Sequence, residues 1–102
     1  MKPIRQGDVL LIPSDPDLVP KPRQPLSHQV LAEGELTGHK HQIIAGKATL
    51  FQANSSLYLQ VTSDVATLVH EEHHSIDVPR GTWAVRRQRE YDTAEYWREV
   101  SD

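Results

Sequence analysis

Leu57-Tyr58-Leu59-Gln60-Val61 and Val65-Ala66-Thr67-Leu68-Val69 decide the fold. In the first, Leu57, Leu59 and Val61 recur at every second residue and so share one face of an extended chain. The second is rich in β-branched and apolar side chains, which suit a pleated, half-buried surface. Working outward, the same reading recurs. Asp8-Val9-Leu10-Leu11-Ile12 is a buried strand that ends at Pro13. Gln29–Glu33, His41–Ile44, Ala48–Gln52 and Ile76–Val78 are further strands, and Asn54-Ser55-Ser56 is a turn. From Thr82 to Tyr91 the residues Trp83, Val85, Arg87, Arg89 and Tyr91 alternate with Thr82, Ala84, Arg86, Gln88 and Glu90, so this long last strand leaves the core at its charged end.

Six of the seven prolines fall in the first 25 residues, and Ser14–Pro25 holds four of them. Proline fixes φ and removes an amide donor, so residues 14–25 are expected as a surface loop rather than helix or central strand. Only the C-terminus reads as helix. Asp92-Thr93-Ala94-Glu95 fits a capping box, and Tyr96, Trp97 and Val100 give a short apolar stripe over 93–100. The expected fold is therefore all-β: a small single-domain β-barrel or sandwich over residues 1–102, with one short C-terminal helix.

The chain has 102 residues and a net charge of −3, with 37% hydrophobic and 25% charged residues. This is the composition of one small globular domain with a thin core. It has no cysteine, which excludes disulfides, thiolate metal sites and cysteine nucleophiles. Its apolar runs are too short to span a bilayer, and Met1–Asp8 lacks the apolar stretch of a signal peptide. A cytoplasmic protein without a membrane partner is expected. Arg86-Arg87-Gln88-Arg89 is offset by acidic neighbours, four basic against four acidic residues over 86–99, so nucleic acid is not an expected partner.

Five of the six histidines lie in two tight groups. The first is Gly34-Glu35-Leu36-Thr37-Gly38-His39-Lys40-His41. On a strand His39 and His41 face the same way, about 6.6 Å apart along the chain. Two imidazoles so placed can converge on one ion through bonds of about 2.1 Å. The second is His70-Glu71-Glu72-His73-His74, directly after Val65–Val69. If barrel closure brings the two groups together, His39, His41 and His70 become ligands of a divalent transition metal. The fourth ligand lies among Glu72, His73 and His74, and His73 can fold back beside His70 across the turn. The expected ion is Zn, Fe, Mn or Ni.

His70–His74 also matches H-E-x-x-H. A zinc protease needs that motif on a helix, where the two histidines lie about 6 Å apart along the axis. On a strand they are about 13 Å apart, and the flanking Val65, Thr67, Val69 and Pro79 favour strand. No catalytic residue is assigned. An open coordination position would acidify a bound water, with Glu71 or Glu72 as base. The competing expectation is a non-catalytic interaction or homo-oligomerisation module whose histidines are structural or respond to pH. Gly7-Asp8 reads as a turn into the first strand, His28 as a surface histidine, and Trp83 as core.

Gly34–His41 followed by Val78-Pro79-Arg80-Gly81-Thr82-Trp83 resembles the cupin pattern of small β-barrels. His39 and His41 match its H-x-H pair, and Pro79 and Gly81 match its P-x-G turn. The glycine-to-histidine spacing is one residue short, Ala45 and Gly46 stand where a glutamate is expected, and Ala84 replaces the final histidine. Across most of its length the chain also resembles a set of small bacterial and phage-borne proteins of unassigned role. That resemblance is carried by Arg5-Gln6-Gly7-Asp8-Val9-Leu10, Gly34–His41, His70–His73 and Gln88-Arg89-Glu90-Tyr91. It implies a compact prokaryotic or phage protein and no particular activity.

Overall fold

The computed structural model describes residues 1–88, which form a curled antiparallel sheet, a half-barrel. The strands are β1 (Ile4–Gln6), β2 (Val9–Ser14), β3 (Gln24–Pro25), β4 (Val30–Glu33), β5 (Lys40–Ala45), β6 (Ala48–Ala53), β7 (Ser56–His70) and β8 (His73–Arg87). Along the sheet they run β1-β2-β8-β7-β5-β4, while β6 pairs with β7 and carries the short β3 on its other side. All pairings are antiparallel. The helix expected over 93–100 lies outside the described residues.

The two stretches that opened the sequence reading are one strand. β7 runs unbroken for 15 residues and pairs with the equally long β8, which absorbs both Ile76–Val78 and the strand expected from Thr82. Register shifts between Val61 and Val65 and between Leu68 and His70 bend this hairpin. A bulge adds local twist and re-aims side chains, so one long ribbon can line two parts of the half-barrel. Near its start β7 pairs with β6, through Leu50↔Leu59 among others. Near its end it pairs with β5, through Gln42↔Val69 and Ile43↔Leu68.

The core follows from inward-facing alternation. Val9, Leu11, Leu50, Leu59, Leu68, Val78 and Trp83 are fully buried and belong to one cluster. The indole N–H of Trp83 donates to the Pro79 carbonyl at 3.1 Å, so the largest core side chain is buried with its polar atom paired. Val19, Phe51, Ala53, Tyr58 and Ala84 form a second cluster on the opposite face of the sheet, where the Phe51 and Tyr58 rings stack 5.5 Å apart.

Two local features depart from expectation. The proline-rich 14–25 stretch is largely exposed, but it contains a single 3₁₀ turn at Pro16–Leu18, and Gln24–Pro25 pairs with β6. The turn forms because Asp15 caps it, accepting from the Asp17 amide at 2.9 Å, and because proline at the first helical position loses no needed donor. The short edge strand β1 was not anticipated. It forms because Gly7, at φ +58°, lets a two-residue Gly7-Asp8 loop pair Gln6 with Val9. Among the described residues no helix is long and apolar enough to cross a membrane.

Candidate metal centre

The half-barrel brings the two histidine groups together. β5 carries His41, the residue before β5 is His39, and β7 and β8 end and begin at His70 and His73. β5 lies beside β7, and His70 pairs directly with His73 across the two-residue Glu71-Glu72 turn. Glu71 ties the groups at their rim: its Oε1 accepts the Lys40 amide at 2.8 Å. That bond, followed by one from its own amide, holds the Glu71 carboxyl below the usual glutamate range.

Strict alternation back from Val78 and Ile76 would turn His74 inward. Instead Leu68↔Ile76 is followed by His70↔His73, so β8 carries one extra residue there. The bulge turns His73 toward His70 and leaves His74 exposed. The imidazole centres of His41 and His70 lie 4.2 Å apart, those of His70 and His73 4.6 Å, His39 and His70 5.5 Å, and His41 and His73 6.1 Å. Two imidazoles sharing one ion, with bonds of about 2.1 Å, have ring centres about 5 Å apart. Among the described residues no group of three or more His, Asp or Glu side chains is already placed to hold a metal ion.

His41 is the fixed member of the cluster and is completely buried. Its Nδ1 lies 2.9 Å from Oε1 of buried Gln6. The orientation of that amide is set from its other end, where Gln6 Nε2 donates to the carbonyls of Leu68 (3.1 Å) and His74 (2.8 Å) on either arm of the bulged hairpin. Gln6 Oε1 is therefore an acceptor, and His41 Nδ1 carries the hydrogen. Burial, with the charge of His70 adding to it and Asp8 opposing it, lowers the His41 pKa from 6.5 to about 4. At neutral pH its Nε2 is then a bare lone pair, buried and without a hydrogen bond.

His70 is held the other way round. Its Nδ1 accepts the Glu72 amide at 3.0 Å, so the neutral ring carries its hydrogen on Nε2. It would enter coordination only by giving up that bond. At the mouth, His39 Nδ1 lies 3.8 Å from Glu72 Oε2, and the main-chain amide of His39 donates to Thr37 Oγ1 at 3.1 Å. Of the residues singled out in the sequence, the structure thus gathers His39, His41, His70 and His73, with Glu72 at the rim.

The sequence reading missed Gln6 and Asp8. Asp8 is 1% exposed, although it sits in a turn. Its Oδ2 accepts from Arg87 Nη2 at 2.8 Å and Nε at 3.2 Å, and its main-chain carbonyl accepts the Gln88 amide at 2.6 Å. Its Oδ1 faces His41 Nε2 at 3.2 Å. No periodicity flags either residue. The only sequence signal is that Gln6-Gly7-Asp8 belongs to the stretches that carry the resemblance to small bacterial and phage-borne proteins.

No curated protein and no solved structure matches the chain. Residues 5–88, which include β2 through β8 and every residue of this centre, match a domain of unknown function, DUF8820, and the chain belongs to that family.

Proposed function

We propose that this protein binds one divalent transition-metal ion in the imidazole cluster, with His41 Nε2 as the fixed donor. His73 and His39 supply further nitrogens, and His70 joins by exchanging its bond to the Glu72 amide for the ion. The observation that carries the reading is the His41 environment. Histidines that bind metals donate their second ring N–H to an oxygen, which fixes the tautomer and points the other lone pair at the ion. Gln6 makes that arrangement here, at 2.9 Å, and leaves Nε2 facing inward without a hydrogen bond. A buried acceptor left unsatisfied costs about 1–3 kcal/mol, a cost that an ion would remove.

Imidazole donors beside a carboxylate suit Zn, Fe, Mn or Ni, and the chain has no cysteine to select softer ions. Of the cupin-like pattern, the H-x-H pair is the part this reading uses. Pro79 and Gly81 pair with Val65 and Val61 along the hairpin, away from the tip that bears His70 and His73. A cytoplasmic setting goes with the same proposal.

The test is elemental analysis of untagged protein together with thermal melts in Zn(II) and in excess EDTA. The expected result is near-stoichiometric binding and a melting temperature that falls in chelator, both lost in His41→Ala. Less than a tenth of an equivalent of any transition metal, with no response to added Zn(II), would remove the reading. That outcome would favour a metal-free interaction module with pH-responsive histidines, a reading supported by the close packing of the His41, His70 and His73 rings.

A further inference from the structure

We propose that Asp8 is the carboxylate ligand of the ion and that the Gly7-Asp8 loop sets it against His41 and His73, two of the imidazoles named above. The inference rests on the metal reading above and adds a ligand that the histidine pattern does not contain.

Asp8 is buried with half of its carboxylate already committed. Oδ2 takes both hydrogen bonds from Arg87, and the main-chain oxygen takes one from Gln88. Oδ1 has no hydrogen bond and stands 3.2 Å from His41 Nε2, which has none either. Because His41 Nδ1 already holds the ring hydrogen, two lone pairs face one another in the interior. Such a pair calls for a proton or a cation between its members.

Geometry favours the cation. Oδ1 and Nε2 stand 3.2 Å apart, and neither atom completes a hydrogen bond of good geometry. Two ligand atoms each about 2.1 Å from one ion lie about 3.0 Å apart at an octahedral angle and about 3.4 Å apart at a tetrahedral one. The observed separation falls between these values. An ion held by both atoms sits off the line that joins them.

The third donor is admitted by the missing side chain of Gly7. A Cβ at Gly7 would lie 2.6 Å from His73 Nε2 and 3.2 Å from His41 Cε1. The loop can therefore carry Asp8 into the site only if its first residue leaves room for the imidazoles. One loop thus supplies the carboxylate and seats His73. Imidazoles joined by one carboxylate are a donor set that takes Fe(II), Mn(II) or Zn(II).

The test uses the full chain after EDTA treatment, titrated with Zn(II) or Co(II) alone. Asp8→Asn is expected to weaken Zn(II) binding more than about 100-fold, beyond the roughly 10–100-fold of an outer-shell loss. Arg87→Gln, which strips away the ion pair but keeps the carboxylate, should lose less. Equal losses in the two variants, or Asp8→Asn binding as tightly as the parent, would overturn the assignment. If Asp8→Asn does not fold, the carboxyl ¹³C spectrum of the parent decides: the Asp8 signal shifts with one equivalent of Zn(II) if it is a ligand and stays in place if it is not. Binding that is lost in His41→Ala but unchanged in Asp8→Asn would overturn Asp8 alone. A parent chain that binds neither ion would overturn both this inference and the metal reading.

Discussion

The two ends of the β7–β8 hairpin use the same strands for opposite purposes. Where Leu59 pairs with Trp83, the inward side chains are apolar, and both of these are fully buried. At the tip, where His70 pairs with His73, the interior is filled by His41, His70, Gln6 and Asp8, all buried and polar. The first arrangement gains free energy by removing apolar area from water. The second desolvates ionisable groups and recovers only part of the cost through hydrogen bonds. A thin core has little stability to spare, so the polar end carries a folding cost that the proposed ion would offset.

The largest expected effect is at the apolar end. Trp83→Ala should cost about 3–5 kcal/mol, read as a lower urea midpoint. A comparable loss from a conservative change at the tip would break the contrast between the two ends.

The next effect is specific to the polar end. The folded His41 pKa of about 4 lies below its unfolded value of 6.5, so the unfolded chain takes up the proton first. Stability is complete above about pH 6.5 and is lost as pH falls toward about 4, by up to about 3 kcal/mol from this residue. The groups facing His41 are Asp8 with its partner Arg87, Gln6, His70 and His73. Urea melts of EDTA-treated protein from pH 7.5 to 4.5 should show this slope, and a His41→Leu variant should show a shallower one. Equal slopes would mean that His41 takes up its proton at the same pH in the folded and unfolded chain.

Gln6→Leu sharpens the comparison. It keeps most of the volume but deprives the Leu68 and His74 carbonyls of their donor and frees the His41 tautomer. Expected are a stability loss of about 1–3 kcal/mol and a Zn(II) affinity lower by about 10–100-fold. Smallest of all, Arg80→Ala removes an exposed ion pair with Asp64, 2.8 Å long, and should change stability by less than about 1 kcal/mol without altering metal binding.

Most of the fold was legible because strands declare themselves by alternation. Leu57, Leu59 and Val61 gave their own face, and Asn54-Ser55 gave the turn, where both residues take positive φ. The continuity of β7 across Thr62–Asp64 was not legible, since a bulge breaks the alternation that identifies a strand. The histidine grouping was legible as composition, and the Glu71-Glu72 turn does bring His73 beside His70. Gln6 and Asp8 were hidden for a physical reason. Their importance comes from pairings 35 and 79 residues away, with His41 and Arg87, and no local pattern encodes those partners.

The most direct test is the imidazole ¹⁵N spectrum of the EDTA-treated chain at pH 7, recorded before and after one equivalent of Zn(II). The expected result is a neutral His41 with hydrogen on Nδ1, whose Nε2 signal moves when the ion is added. A His41 that carries its hydrogen on Nε2, or an Nε2 signal indifferent to Zn(II), would contradict the account.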